Sequence, residues 1–398
     1  MSVVHLATKP HVVHGWFERI TSMNRRRFLA ALGATSALAG CLGNNQSADG
    51  ADSTDTPGTA GGSNATRTSS FDLPVPKDEL RRGAPKDAIP AITAPVFSDD
   101  WSGFDEVNVT LEDSFEVVGV ELDGIARAYP LAILNWHEIA NDAFDDRPVV
   151  VTYCPLCGSA VVADRLVAGE PTNFGVSGYL WMSDLVMYDV RTESLWSQVL
   201  ATAIRGERTG DTLSLIPSTI STWGEWKASH PDTEVLVPPP VSDTIRGRQS
   251  RSYDVNPYSS YRQSGRVGIG FNDEVDERMH PKTSVIGITA GGVARAYPLD
   301  AVKNAGVVND TVGELPVVVA SSTDGTLVAY VRRIDGSVAE FERDGSALVA
   351  AGSRWDLLTG RALDGSHEGA TLTRANDRSP MFWFAWADFN PDTEIYGR

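Results

Sequence analysis

From about residue 110 onward the chain alternates short apolar runs with Gly, Asp or Pro. Phe115 to Leu122, Val149 to Tyr153 and Ala160 to Arg165 are rich in Val, Ile and Tyr, the composition of strands bounded by turn residues. Pro130 to Asn141 instead carries apolar residues at 131, 133, 134, 136 and 139. That spacing predicts a short helix with Pro near its start. A second helix is predicted from Thr219 to Ser229. The expected class is α+β and strand-dominated.

The pattern also repeats. Ala126-Arg127-Ala128-Tyr129-Pro130-Leu131 recurs as Ala294-Arg295-Ala296-Tyr297-Pro298-Leu299. At the same offset Asn141-Asp142 answers Asn309-Asp310, and Pro148 to Val151 answers Pro316 to Val319. Further on, Trp196 answers Trp355, Trp223 answers Trp383, and Pro231-Asp232-Thr233-Glu234 answers Pro391-Asp392-Thr393-Glu394. Matches in one order indicate a tandem duplication of domain-sized units rather than a solenoid. Copy one is placed at 110–237, a connector holding Tyr253, Tyr258 and Tyr261 at 238–279, and copy two at 280–398. Two similar lobes packed side by side are expected.

The first 70 residues differ in kind. Asn24-Arg25-Arg26-Arg27-Phe28-Leu29 sets paired arginines before a short apolar run ending in Leu38-Ala39-Gly40-Cys41. The run is too short to span a bilayer. It reads as a twin-arginine lipoprotein signal, residues 1–40, with cleavage freeing Cys41 for lipid. Translation from Met23 would remove residues 1–22 and three of the seven histidines. Residues 41–70 are rich in Gly, Ser, Thr, Asp and Asn, a composition suited to a disordered tether; 71–109 form an N-terminal extension. The expected location is the outer face of the cytoplasmic membrane, with the membrane as partner through the lipid anchor and a further partner, an exported protein or a small molecule, left open.

Charge narrows the partners. The chain has 52 acidic and 34 basic residues and a net charge of −18, which opposes nucleic-acid binding. Among the basic residues Arg outnumbers Lys by 28 to 6. An acidic, Lys-poor surface suits a protein kept soluble in strong salt, so a halophilic source is expected.

With Cys41 assigned to lipid, the remaining cysteines are Cys154 and Cys157, in Tyr153-Cys154-Pro155-Leu156-Cys157-Gly158. Copy two has Ser321-Ser322-Thr323-Asp324-Gly325 there, so the fold does not require the thiols. A strand entering Cys-Pro-x-Cys-Gly and a strand leaving it have the form of a metal knuckle. One knuckle supplies two ligands, and a closed zinc site wants four. His137 and Glu138, in Asn135-Trp136-His137-Glu138, are the candidate partners, since copy two has Lys303-Asn304-Ala305-Gly306 there. The implied cofactor is one transition metal ion: zinc, copper or iron.

Two other readings of the pair remain open: a dithiol oxidoreductase acting on exported proteins, and a structural disulfide, which an oxidising exterior favours. The β-branched Val161-Val162 argues against a thioredoxin-like helix after the pair. A noncatalytic binding module using Trp181, Trp223 and Trp226 is a further alternative, although buried core is the commoner use of such residues. His230, before Pro231, reads as a helix-cap residue favoured by the dipole. There is no serine-nucleophile elbow and no dinucleotide fingerprint.

At these residues the chain resembles a family known as domain of unknown function 3179. The resemblance is carried by Ala84 to Ala91, Ala128-Tyr129-Pro130, Asn135-Trp136-His137-Glu138, Tyr153 to Gly158, Phe174 to Gly178, Ser183 to Asp189 and Ser194 to Gln198. It spans most of copy one and implies no activity.

Overall fold

Strand formation dominates because β-branched residues alternate through nearly every apolar run. The computed structural model describes residues 71–269 and 275–398, and residues 1–70, with the leader, Cys41 and the tether, lie outside the described residues. Every helix among the described residues is short, seven residues at most.

Six sheets of three or more strands form the blades of a six-bladed β-propeller. Blade 1 holds Glu116–Leu122, Ile125–Pro130, Thr219–Thr222 and Glu234–Val237. Blade 2 is built on Ile139–Phe144, Arg147–Cys154 and Ser159–Asp164, and blade 3 on Phe174–Trp181, Asp184–Asp189, Leu195–Ser197 and Thr202–Arg205. Copy two supplies blade 4 (Ser284–Ala290, Val293–Pro298, Met381–Phe382, Glu394–Ile395), blade 5 (Val307–Val312, Leu315–Ser321, Leu327–Val331) and blade 6 (Glu342–Asp344, Ala347–Ala350, Ser353–Asp356).

The expectation of two α+β lobes is therefore corrected. Each copy makes three blades of one ring, and the core does not divide between copies. One cluster joins Cys154 and Val161 of blade 2, Trp181 and Met187 of blade 3, and Phe382 and Phe389 of copy two. Other clusters join blade 1 to blade 2, blade 4 to blade 5, and blade 5 to blade 6. Blade 6 meets blade 1 through Leu358, which packs in the first-blade core, and through a 3.4 Å bond from Ser229 to Asp356. The central strands of blades 2, 3 and 5 thus bury both faces, which explains their Val-rich, continuously apolar sequences.

The repeated residues hold the repeated frame. Arg127 and Tyr129 both donate to Asp142, at 2.8 and 2.5 Å, as Arg295 and Tyr297 do to Asp310, at 2.7 and 2.8 Å. Asn141 bridges to the backbone of Phe174, and Asn309 to that of Phe341, each through both amide groups. Trp226 and Trp386 donate from Nε1 to Thr233 and Thr393, each at 2.8 Å. In blades 1 and 4 the last strand returns parallel to the second, pairing Glu234 with Arg127 and Glu394 with Arg295.

The extension and the connector are woven into the ring. Ile92–Ala94 and Asp243–Thr244 join blade 2, Val96–Ser98 joins blade 1, and Arg81–Arg82 joins blade 3. The helices are shorter than their spacing predicts. The first spans Leu131–His137, because Glu138 turns left-handed and Ile139 begins a strand. The second spans Trp223–Ser229, because Thr219–Thr222 pairs with Glu116–Leu122 and Thr222 then caps the helix in a reciprocal box with Glu225.

Candidate metal centre

The knuckle lies at one end of blade 2, in the turn between Arg147–Cys154 and Ser159–Asp164. Its backbone is pinned from three sides. The Cys157 amide donates to Cys154 Sγ at 3.4 Å, the Tyr261 hydroxyl to the Leu156 carbonyl at 3.0 Å, and the Phe382 amide to the Cys157 carbonyl at 2.8 Å. Gly158 has φ +61, and a Cβ there would meet the Phe382 ring at 2.9 Å, so both conformation and space require glycine. In copy two Ser322 Oγ accepts from the Gly325 amide at 3.2 Å. A hydroxyl there does the turn-closing work of the Cys154 sulfur, and no thiol is needed.

Both cysteines are free and buried. Asp184 opens the second strand of blade 3, and the ligand atoms of Cys154, Cys157 and Asp184 all lie within 4.8 Å of one another. The preceding hairpin turn places Met182 and Ser183 at φ 51 and 65, the two-residue geometry that suits strand twist but disfavours side chains. It aims the Ser183 carbonyl at both thiols, which donate to it at 3.8 Å from Cys154 and 3.4 Å from Cys157. A cavity of about 180 Å³, lined by Glu79, Arg81, Trp181, Met182 and Ser183 among others, borders the same turn.

Asp184 is oriented by its own shell: Ser197 Oγ donates at 2.6 Å and the Val199 amide at 3.3 Å. Burial nevertheless raises its carboxyl from 3.8 to about 7. Glu138 is also buried and rises from 4.5 to about 8, chiefly through desolvation and then through the field of Asp184. The Cys157 thiol is pushed well above its usual range by burial first, then by Cys154, Asp184 and Asp388. Lys282, largely buried among the rings of Tyr261, Phe382 and Phe384, falls to about 8 through desolvation, which the field of Cys157 opposes. Asp184, Glu138 and Cys157 are thus three acidic groups that burial holds towards their protonated forms. A bound cation reverses that electrostatic logic, because it stabilises the deprotonated forms.

Of the residues expected from sequence, Cys154 and Cys157 come together, and Glu138 lies within electrostatic reach of Asp184. His137 is fully buried with both ring nitrogens engaged elsewhere, Nδ1 with the Pro90 carbonyl at 2.8 Å and Nε2 with the Tyr253 hydroxyl at 3.0 Å. Asp184 was absent from the expected set. It belongs to another blade, and no spacing rule links it to the knuckle. His230 ends its helix as anticipated, stacked on Trp226 with centroids 3.8 Å apart and 3.2 Å from Glu121. Trp181, Trp223 and Trp226 are buried and present no aromatic surface.

No curated protein and no solved structure matches the chain. The family model described as protein of unknown function (DUF3179) matches residues 86–393, a span that takes in the knuckle and strands of every blade, and the chain belongs to that family.

Proposed function

We propose that this is a metal-binding protein in which Cys154, Cys157 and Asp184 hold one transition-metal ion. The observation that carries the reading is the convergence of two thiols and a carboxyl within 4.8 Å in a buried pocket. Two sulfurs select against hard ions such as magnesium and calcium and suit zinc, iron or copper. Three protein ligands leave one position of a tetrahedron to be filled. Thiol exchange is supported less well, because burial and neighbouring acids hold Cys157 protonated, whereas thiolate is the nucleophile.

The purified protein is expected to hold about one metal ion per chain. A Cys154→Ser, Cys157→Ser double variant is expected to hold none. Metal analysis that finds no ion in the wild type after reconstitution ends this reading.

The setting we propose is the outer face of the cytoplasmic membrane, reached in folded form by the twin-arginine route and kept there by lipid on Cys41. The paired arginines and the Leu-Ala-Gly-Cys sequence support this. Export after folding lets the ion be loaded beforehand. Release of the protein from the membrane fraction by Cys41→Ser is the expected result, and unchanged membrane retention would count against the anchor.

A further inference from the structure

We infer that the main-chain carbonyl of Ser183 is the fourth ligand of the ion held by Cys154, Cys157 and Asp184, an inference that rests on the metal reading above. Both thiols approach this one oxygen, Cys157 Sγ at 3.4 Å and Cys154 Sγ at 3.8 Å. In a tetrahedral zinc site with bonds of about 2.3 Å to sulfur and about 2.1 Å to oxygen, a sulfur and an oxygen lie about 3.6 Å apart. The two observed distances straddle that value. The oxygen is also tied covalently to the cluster, because the Ser183 peptide leads directly into Asp184, whose carboxyl lies within 4.8 Å of both sulfurs. Binding replaces the two thiol protons, released to solvent, by one divalent ion.

Burial favours a ligand drawn from the protein. Cys154 is 1% exposed, and Cys157 and Asp184 are 0%. The connector packs over the same residues: the Tyr261 hydroxyl donates to the Leu156 carbonyl of the knuckle and accepts from the Gly268 amide, each at 3.0 Å, and a Cβ on Gly268 would collide with the Ser183 side chain. Four protein donors without an open position mark a structural centre rather than a catalytic one. The ion then joins the knuckle of blade 2 to the first hairpin of blade 3.

Copy two makes the same join with a cation of its own. Arg343, in the first strand of blade 6, donates to the Ser321 carbonyl at the end of the blade 5 strand and to the Gly345 carbonyl in the hairpin turn, each at 2.6 Å. Asp344 pairs with Ala347 as Trp181 pairs with Asp184, so Arg343 answers Leu180 and Ala347 answers Asp184. Copy one therefore lacks the guanidinium and carries two thiols and a carboxyl in exchange. In each copy a carbonyl of this hairpin turn faces the join, and in copy two it accepts from a positive charge.

The test labels the full chain with ¹³C at the serine carbonyl and ¹⁵N at aspartate, so that only the three Ser-Asp peptides, at Ser98, Ser183 and Ser242, give a correlated carbonyl signal. Ser98→Ala and Asp243→Glu each delete one signal and leave the third to Ser183. The metal-free protein is then loaded with Zn²⁺, and bound zinc is measured in the same sample. A carbonyl that binds a cation moves downfield, whereas one that merely loses its two thiol donors moves upfield. The Ser183 signal is expected to move downfield on loading while the other two stay in place. An upfield or unmoved Ser183 signal in protein that holds one zinc overturns the carbonyl ligand and leaves the three side-chain ligands standing. Protein that takes up no zinc overturns the metal reading, and the fourth ligand with it.

Discussion

The Tyr129 hydroxyl of blade 1 donates to Asp142 of blade 2 at 2.5 Å, and the same carboxylate accepts from Arg127 at 2.8 Å. The triad recurs as Tyr297, Asp310 and Arg295, but the second carboxylate is more exposed, 23% against 6%. A bond to a buried charge is worth more than one that water can replace. Tyr129→Phe is expected to destabilise the fold by about 1–3 kcal/mol and Tyr297→Phe by less. Denaturant unfolding of the two single variants measures the difference, and an equal or reversed order would show that exposure does not set the strength of these bonds.

The duplicated triad shows which parts of this fold can be read from sequence. Ala-Arg-Ala-Tyr-Pro-Leu is conspicuous because both copies need the same carboxylate pinned by the same two donors. The copies were legible for that reason, and their sharing of one ring was not. Closure depends on Leu358 packing in the core of blade 1 and on Phe382 packing against Gly158, contacts between segments far apart in the chain. The cysteine pair was legible because its spacing is local. Asp184 was not, because it reaches the thiols from another blade. The role of His137 depended on Pro90 and Tyr253, neither of which any local pattern ties to it.

Close approach of helix to strand gives a second prediction. A Cβ on Gly119 would lie 2.2 Å from the Trp226 ring, and one on Gly287 2.1 Å from the Trp386 ring. Neither ring is free to retreat, since each indole is anchored to a threonine. Gly119→Ala and Gly287→Ala are each expected to cost about 1–3 kcal/mol by overpacking. Thermal unfolding checks this, and a melting temperature unchanged in both would mean that the helices slide freely over their strands.

The buried acids give the metal-free protein an unusual pH response. Asp184 and Glu138 ionise near 4 when unfolded, but hold their protons to about 7 and about 8 in the native state. Their contribution is fully present below about pH 4 and is lost as pH rises through 7 and 8. With metal the trend reverses, because the ion binds the deprotonated ligands and its affinity climbs with pH. Melting curves between pH 5 and 8.5, with and without metal, should therefore diverge. Parallel curves would remove the electrostatic case for a cation at this site.

His137 is the sharpest test of the ligand set, because sequence places it beside Glu138 while the structure uses both its nitrogens elsewhere. Burial lowers its pKa from 6.5 to about 4, so the neutral ring is the native form. The stability it contributes is present above about pH 6.5 and is lost as pH falls through that value towards 4. His137→Gln is expected to keep the metal stoichiometry of the wild type. Loss of the bonds to Pro90 and Tyr253 should cost about 1–3 kcal/mol near neutral pH. The same change removes the group that must become charged in acid, so the stability gap between variant and wild type should narrow from pH 7 to pH 5. A variant that is folded at pH 7 yet devoid of metal would place His137 among the ligands and require its ring to exchange Tyr253 or Pro90 for the ion.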